Sequence, residues 1–128
     1  MPRASNPSTV AKPQSNYAQA IIHKAGAERI VVSGQLGVKP DGALEAGFEA
    51  QAERAWQNVI AILKAEGFDI KHLVKVTTFV TEPGRTATAR AIRDRLLGGH
   101  ACASTYLQIA GLAREGFLIE IEAEAIKD

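Results

Sequence analysis

The sequence predicts an α+β domain in which a mixed β-sheet carries two helices packed on one face. Three observations support this fold class: two segments repeat apolar residues at helical spacing, the last strand alternates apolar and acidic residues, and the elements follow the order β-β-α-β-α-β-β. Such an order mixes hairpins with crossover helices. A chain of 128 residues has the size of one domain.

We divide the chain into a loose N-terminal arm, residues 1–14, and a single domain, residues 15–128. The arm carries three prolines and few side chains that could pack. The domain begins with two apolar, β-branched stretches, residues 18–24 and 29–35. A glycine-containing loop separates these stretches, so they predict a β-hairpin.

The clearest helix covers residues 46–66. Its apolar residues recur at steps of three and four, and Gly67 is placed to end it. A strand over residues 72–80 and a second helix over residues 86–97 follow. The second helix has an apolar stripe of Ala89, Ile92 and Leu96, and three arginines lie off that stripe: Arg90, Arg93 and Arg95.

Two further strands, residues 103–110 and 117–126, complete the domain. In the last strand three glutamates share one face: Glu120, Glu122 and Glu124. Contact with solvent is one explanation of this acidic face. However, two helices cover only one face of a sheet, and the consecutive apolar residues 30–32 make both faces of their strand apolar. An apolar face without a cover predicts oligomerisation through that face.

Composition excludes several classes of function. The formal net charge is +1, with 15 basic and 14 acidic residues, which gives no electrostatic footprint for nucleic acid or an anionic membrane. Cys102 is the single cysteine, so an intrachain disulfide and a cysteine-based zinc site are excluded. The histidines are scattered, and we expect neither a metal nor a cofactor. Without a signal-like or membrane-spanning apolar run, a cytoplasmic protein is expected.

Five segments resemble motifs of the RidA/YjgF family, in one order and with nearly the family's spacing. They are residues 16–20 (NYAQA), 33–35 (SGQ), 58–67 (NVIAILKAEG), 73–80 (LVKVTTFV) and 119–123 (IEIEA). The resemblance implies a chorismate-mutase-like fold and a homotrimer whose sheets form a central barrel. It also implies a ligand cleft at each of the three subunit interfaces.

The resemblance also implies a chemistry. In the family's deaminating members, an arginine in an A-R-S motif on the fifth strand pairs with the substrate carboxylate. A glutamate on the last strand positions the water that attacks the imine carbon, so that an imine or enamine is hydrolysed to a keto acid and ammonia. Glu120 matches this glutamate, and it can act as a general base. Exposure of all three glutamates is the alternative explanation.

This chain departs from the family at the A-R-S motif. When the chain is aligned with the family on Leu112, Ser104 takes the position of the arginine. When it is aligned on the IEIEA motif without a gap, Thr105 takes that position. Either residue offers one neutral hydroxyl in place of a guanidinium fork with two charge-assisted hydrogen bonds. We therefore expect a site without a fixed positive charge and no efficient deamination of simple 2-imino acids. Three other cations are better explained as loop or solvated residues: His100, Arg114 and Arg85.

Three further residues complete the candidate substrate-binding set. Tyr17 either contacts the ligand or caps the hairpin. Ser33 lies beside Gly34 at a strand end, where glycine permits a close backbone approach; a turn is the alternative.

Three functions are compatible with these residues. The first is a RidA-like homotrimer that binds a small metabolite of the imine, enamine or carbonyl type and, if it is an enzyme, hydrolyses it. The second is a non-catalytic trimer that senses a ligand or binds a protein. The third, an endoribonuclease, is disfavoured by the near-neutral charge and by the lack of a basic surface with aromatic residues.

Overall fold

The structure is a computed structural model that describes residues 2–128. Six strands and two α-helices follow one another along the chain, with a short 3₁₀ turn before the fourth strand. In order they are β1 (Arg3–Ser5), β2 (Ala20–Ile22), β3 (Glu28–Leu36), α1 (Phe48–Ala65), the turn Ile70–His72, β4 (Leu73–Val80), α2 (Thr86–Leu96), β5 (Ala103–Gln108) and β6 (Ile119–Lys127).

Four strands form a mixed sheet in the order β3-β6-β4-β5. Strands β4 and β5 are parallel and are joined by the crossover helix α2, whereas β6 runs antiparallel to both of its neighbours. This order leaves β3 at one edge of the sheet and β5 at the other. The predicted α+β class, with two helices on a mixed sheet, is confirmed.

The predicted hairpin of residues 18–24 with residues 29–35 is wrong. Strand β2 pairs instead with β1, in the register Arg3↔Ile22 and Ser5↔Ala20. Strand β3 pairs with β6, because the alternating β6 provides a nine-residue partner with an apolar face, whereas β2 is only three residues long. Pairing with β6 buries more apolar surface than pairing with the nearer segment would. The division of the chain at residue 14 stays a prediction.

The core lies between the helices and one face of the sheet. Alternate residues of β4 and β6 face it in register, as in the pairs Val76↔Ala123 and Val80↔Ile119. Helix α1 packs on this face with the spacing that its sequence predicts. Its buried residues are Phe48, Gln51, Ala52, Ala55, Trp56, Val59 and Leu63. Among the described residues, no helix is both long and apolar enough to cross a bilayer.

The opposite face of the sheet, which we call the open face, carries no helix. It exposes two large apolar side chains, Val31 (62 % exposed) and Leu107 (43 % exposed). It also carries charged residues, of which Arg29 pairs with Glu124 at 3.0 Å. Apolar groups among charges on an uncovered sheet face are typical of an interface between subunits. The homotrimer stays a prediction at this point.

Candidate functional site

A cavity of about 190 Å³ lies on the helix side of the sheet, between both helices and the β5 edge. We call it the β5 cavity. It is lined by Ser15, Tyr17, Ala52, Trp56, Thr78, Ala89, Arg90, Arg93, Ser104, Tyr106 and Ile119. Since a water molecule takes roughly 30 Å³ of liquid, the cavity has room for a small metabolite and is smaller than the roughly 300–1,000 Å³ of drug-sized pockets.

Backbone pairing brings the N-terminal part of the domain to this cavity. Ala18 forms an isolated parallel bridge with Ala103 at the start of β5. Two residues earlier, the Asn16 side chain donates a hydrogen bond to Gly99 O at 2.8 Å. These two anchors hold Tyr17 against the cavity. Residues 18–24 and 29–35 do not form the hairpin that Tyr17 would cap, and its contact with a ligand stays a prediction.

Ser104 and Thr105, the two residues that could take the position of the missing arginine, lie on opposite faces of β5. Ser104 is in register with the core residue Val76, and it lines the β5 cavity. Thr105 points to the open face, where its Oγ1 accepts a hydrogen bond from Lys75 Nζ at 2.7 Å. Only one of the two hydroxyl residues therefore lines this cavity, and it is Ser104.

The expectation of a site without a fixed positive charge is wrong for this cavity. Arg93 lines it with a side chain that is only 12 % exposed, and Arg90 lines it beside Arg93. Sequence reasoning missed them because they lie off the apolar stripe of α2. The signal that could have found Arg93 is its i, i+4 spacing from Ala89, which places both residues on the same helix face.

Arg93 is incompletely paired. Its Nε donates a hydrogen bond to Asp94 Oδ1 at 3.0 Å. Its Nη2 also lies 3.0 Å from this oxygen, yet it is buried and forms no hydrogen bond of acceptable geometry with any described residue. The hydroxyl of Ser15, which lines the same cavity, is likewise buried without a partner among residues 2–128. Buried polar groups normally have partners, so these two require an explanation.

The three cations that the sequence had offered as replacements lie elsewhere. His100 Nε2 bonds to Leu73 O at 2.9 Å. Arg85 pairs with Glu82 at 3.1 Å and stacks over the ring of Phe48. Arg114 is exposed in the loop before β6, as expected.

Ser33 and Gly34 form a bulge in β3, next to Glu120. The pairing of β3 with β6 shifts by one residue between Val32 and Gln35, which leaves Ser33 and Gly34 unmatched. A Cβ on Gly34 would lie 2.5 Å from Glu120 Oε1, so the carboxyl group lies directly over the glycine. Bulges of this kind are frequent next to functional sites, because they re-aim side chains.

One protomer does not bring Glu120 and Ser104 together. Glu120 is in register with Phe79 on the open face, whereas Ser104 faces the helices. Gly34 lies on the edge strand β3 and Glu120 on the neighbouring inner strand β6, whereas Ser104 lies on the other edge strand, β5, with Tyr17 beside it. The predicted residues thus form two half-sites on opposite faces of the sheet, with β4 between them.

Cys102 lies at the end of the loop before β5. Burial raises the pKa of its thiol to about 11, against the smaller opposing influence of Arg93 and Lys75. The thiol is therefore protonated at neutral pH and is a poor nucleophile. Within residues 2–128, no cluster of three or more His, Cys, Asp or Glu side chains is arranged to hold a metal ion.

Three comparisons bear on this arrangement. Residues 8–127 match the sequence model of the family described as Endoribonuclease L-PSP. Protein DfrA of Myxococcus xanthus is 34 % identical over 112 residues, 86 % of this chain and 84 % of that protein. The 2-iminobutanoate/2-iminopropanoate deaminase of Rattus norvegicus is 33 % identical over 113 residues, 87 % of this chain and 80 % of the deaminase. A crystal structure of YyfB from Yersinia pestis, a Rid-family protein of unknown function, superposes with a TM-score of 0.87 at 26 % identity, covering 98 % of both chains.

Proposed function

Because this chain belongs to the RidA/YjgF family, we propose that it binds a small metabolite with an imine, enamine or carbonyl group in clefts between the subunits of a homotrimer. We further propose that it hydrolyses the C=N bond of such a ligand. The open face would form the trimer contact, since Val31 and Leu107 are exposed there. The relatives named as imine deaminases support this reaction class.

The separation of the half-sites carries this proposal. Ser104 and Tyr17 lie at the β5 edge, while Gly34 lies on the opposite edge strand, β3, with Glu120 of the neighbouring β6 over it. A ring of subunits brings the β5 edge of one subunit toward the β3 edge of the next, because a head-to-tail contact joins two different surfaces. The cleft then has a binding side from one subunit and a carboxylate from its neighbour.

Within such a cleft Glu120 would act as the general base. Its carboxylate accepts a proton from water as the water attacks the imine carbon, and the nitrogen then leaves as ammonia. Gly34 permits the carboxylate to lie against the β3 backbone, where a side chain would displace it. Ser104 and Tyr17 would hold the ligand by hydrogen bonds and ring contact.

Simple 2-imino acids would be poor substrates. Ser104 supplies one neutral donor at the position where the resemblance places a guanidinium fork. Hydrogen bonds to charged groups contribute about 1.5–3 kcal/mol each, and one hydroxyl in place of the fork loses at least one of them, which lowers kcat/KM by roughly one to two decades.

Ammonia release from freshly generated 2-iminobutanoate tests the proposal. We expect acceleration over the uncatalysed reaction, tenfold to a hundredfold below that of an arginine-containing relative, and loss of the acceleration in Glu120→Gln. A rate equal to the relative's contradicts the role given to Ser104, and full activity of Glu120→Gln contradicts the role of Glu120. If the wild type gives no acceleration with any imine, the non-catalytic alternative, a ligand-sensing or protein-binding trimer, replaces hydrolysis. If it cleaves RNA, the endoribonuclease alternative does.

A further inference from the structure

The two arginines of the β5 cavity have more donors than partners. A guanidinium carries five N–H donors, and the hydrogen bond found for Arg93 uses one, its Nε. Arg90 forms no ion pair or hydrogen bond with the residues that the structure describes. The cavity lining contains no carboxylate among those residues. The arrangement therefore has an excess of positive charge facing a small, partly open cavity.

Both arginines lie on the same face of α2. They stand at i and i+3, a spacing at which like charges repel and weaken a helix. Asp94 offsets part of this charge, but its side chain is 44 % exposed and contacts the guanidinium through one oxygen, Oδ1. A buried cationic donor without a partner is costly to a fold unless a ligand completes it.

From this geometry we propose that Arg93, supported by Arg90, binds the carboxylate of a small aliphatic acid in the β5 cavity. This inference rests on the proposed function and specifies its ligand class. The unpartnered Ser15 hydroxyl would donate a further hydrogen bond to the same group. Tyr106 and Trp56 provide ring surface for a short apolar chain.

The size and charge of the cavity favour a monoanion. After partial compensation by Asp94, the two arginines leave a net charge of about one, which matches one carboxylate better than a phosphate dianion. A guanidinium also pairs with a planar carboxylate through two parallel N–H donors. About 190 Å³ accommodates an acid of a few carbons.

The position of the anchor distinguishes this chain from relatives with an arginine on β5. A carboxylate that is held from α2 lies against the helix side of the cavity instead of against β5. The reacting carbon of a simple 2-imino acid is then displaced from the place where a β5 arginine would hold it. Affinity for a carboxylate and turnover of simple 2-imino acids are therefore separate properties here.

Titration of the intact protein with 2-oxobutanoate and with its uncharged amide tests the inference. The readouts are calorimetry and the fluorescence of Trp56, the only tryptophan of the chain, which lines the cavity. We expect the wild type to bind the acid at least tenfold more tightly than the amide. Arg93→Gln should lose about tenfold to a hundredfold in affinity for the acid and little for the amide, and Arg93→Lys should recover part of the loss.

Arg95→Gln is the matched control, because Arg95 lies on the same helix, is 58 % exposed and pairs with Glu53 outside the cavity. It should bind the acid as the wild type does. If Arg93→Gln fails to fold, Arg90→Gln should show a smaller loss in the same direction.

Three outcomes would overturn the inference: equal affinity of the wild type for acid and amide, unchanged acid affinity in both Arg93→Gln and Arg90→Gln, or tighter binding of inorganic phosphate than of the acid. None of them bears on ammonia release, which tests the proposed function separately.

Discussion

Replacement of Gly34 by alanine moves the carboxylate of Glu120 without removing it. An added Cβ would lie 2.5 Å from Glu120 Oε1, 2.7 Å from Cδ and 2.9 Å from Cγ, whereas ordinary van der Waals contact begins at 3.4 Å. The end of the glutamate side chain must therefore shift by about 1 Å. In an enzyme, a displacement of this size at the reacting groups can lower the rate about a hundredfold.

We expect Gly34→Ala to lower kcat for ammonia release about a hundredfold, with a much smaller change in KM, because the ligand-holding residues lie on the β5 edge. The contacts are with a flexible side chain, so the variant should fold and melt close to the wild type. Gly111→Ala is the matched control, since its Cβ would meet no atom within 4 Å. Gly37→Ala should destabilise the fold, in contrast to Gly34→Ala, because its Cβ would clash with Gln51 Cα, a backbone atom that cannot move as a side chain can.

The assay is the initial rate of ammonia release at several imine concentrations, together with a thermal melt of each variant. Full kcat in a folded Gly34→Ala protein would contradict the role of Gly34, because the position of the carboxylate over the bulge would then not matter. A loss of activity that matches a loss of folded protein would refute it as well.

Three further predictions follow from the structure. Val31→Asp should dissociate the oligomer in light-scattering chromatography, whereas Val10→Asp, which changes another exposed valine outside the four-stranded sheet, should not; an unchanged Val31→Asp oligomer contradicts the proposed interface. Gln51→Ala should lower the free energy of unfolding by about 2 kcal/mol in urea titrations, because it leaves two partly buried backbone groups, Gly116 O and Leu118 N, without their side-chain partner; a loss below about 1 kcal/mol contradicts this. Burial raises the pKa of the Cys102 thiol from 9.0 to about 11. The contribution of this thiol to the stability of the folded protein is therefore complete below pH 9 and is lost as the pH rises to 11. Between pH 9 and pH 11 the free energy of unfolding should fall by about 2 kcal/mol more in the wild type than in Cys102→Ala. Parallel pH profiles of the two free energies would disprove this prediction.

The fold was largely predictable because its main elements have strong periodicity. Helix α1 repeats apolar residues at helical steps, and β6 alternates apolar and acidic residues, so each pattern specifies one element and one buried face. The β2–β3 hairpin was wrong because proximity in sequence does not decide pairing when a longer apolar partner, β6, is available. Strand β1 lies in a proline-containing segment that gives little strand signal.

The sequence predicted individual residues of the candidate site, but not their positions relative to one another in the fold. Motif resemblance pointed to Tyr17, Ser104 and Glu120, yet no pattern along the chain states that Ser104 and Glu120 lie on opposite faces of the sheet. That relation depends on the order of strands. Arg93 was missed for a similar reason: its spacing from Ala89 indicates the helix face on which it lies, but not that this face lines a cavity beside β5.

A crystal structure of the protein with 2-oxobutanoate would test most directly whether two half-sites from adjacent subunits form one cleft. We expect a trimer in which the carboxylate of the ligand contacts Arg93 of one subunit. Glu120 of the neighbouring subunit should face the same cleft. A ligand bound away from Arg93, or Glu120 side chains that all face away from the bound ligand, would contradict it.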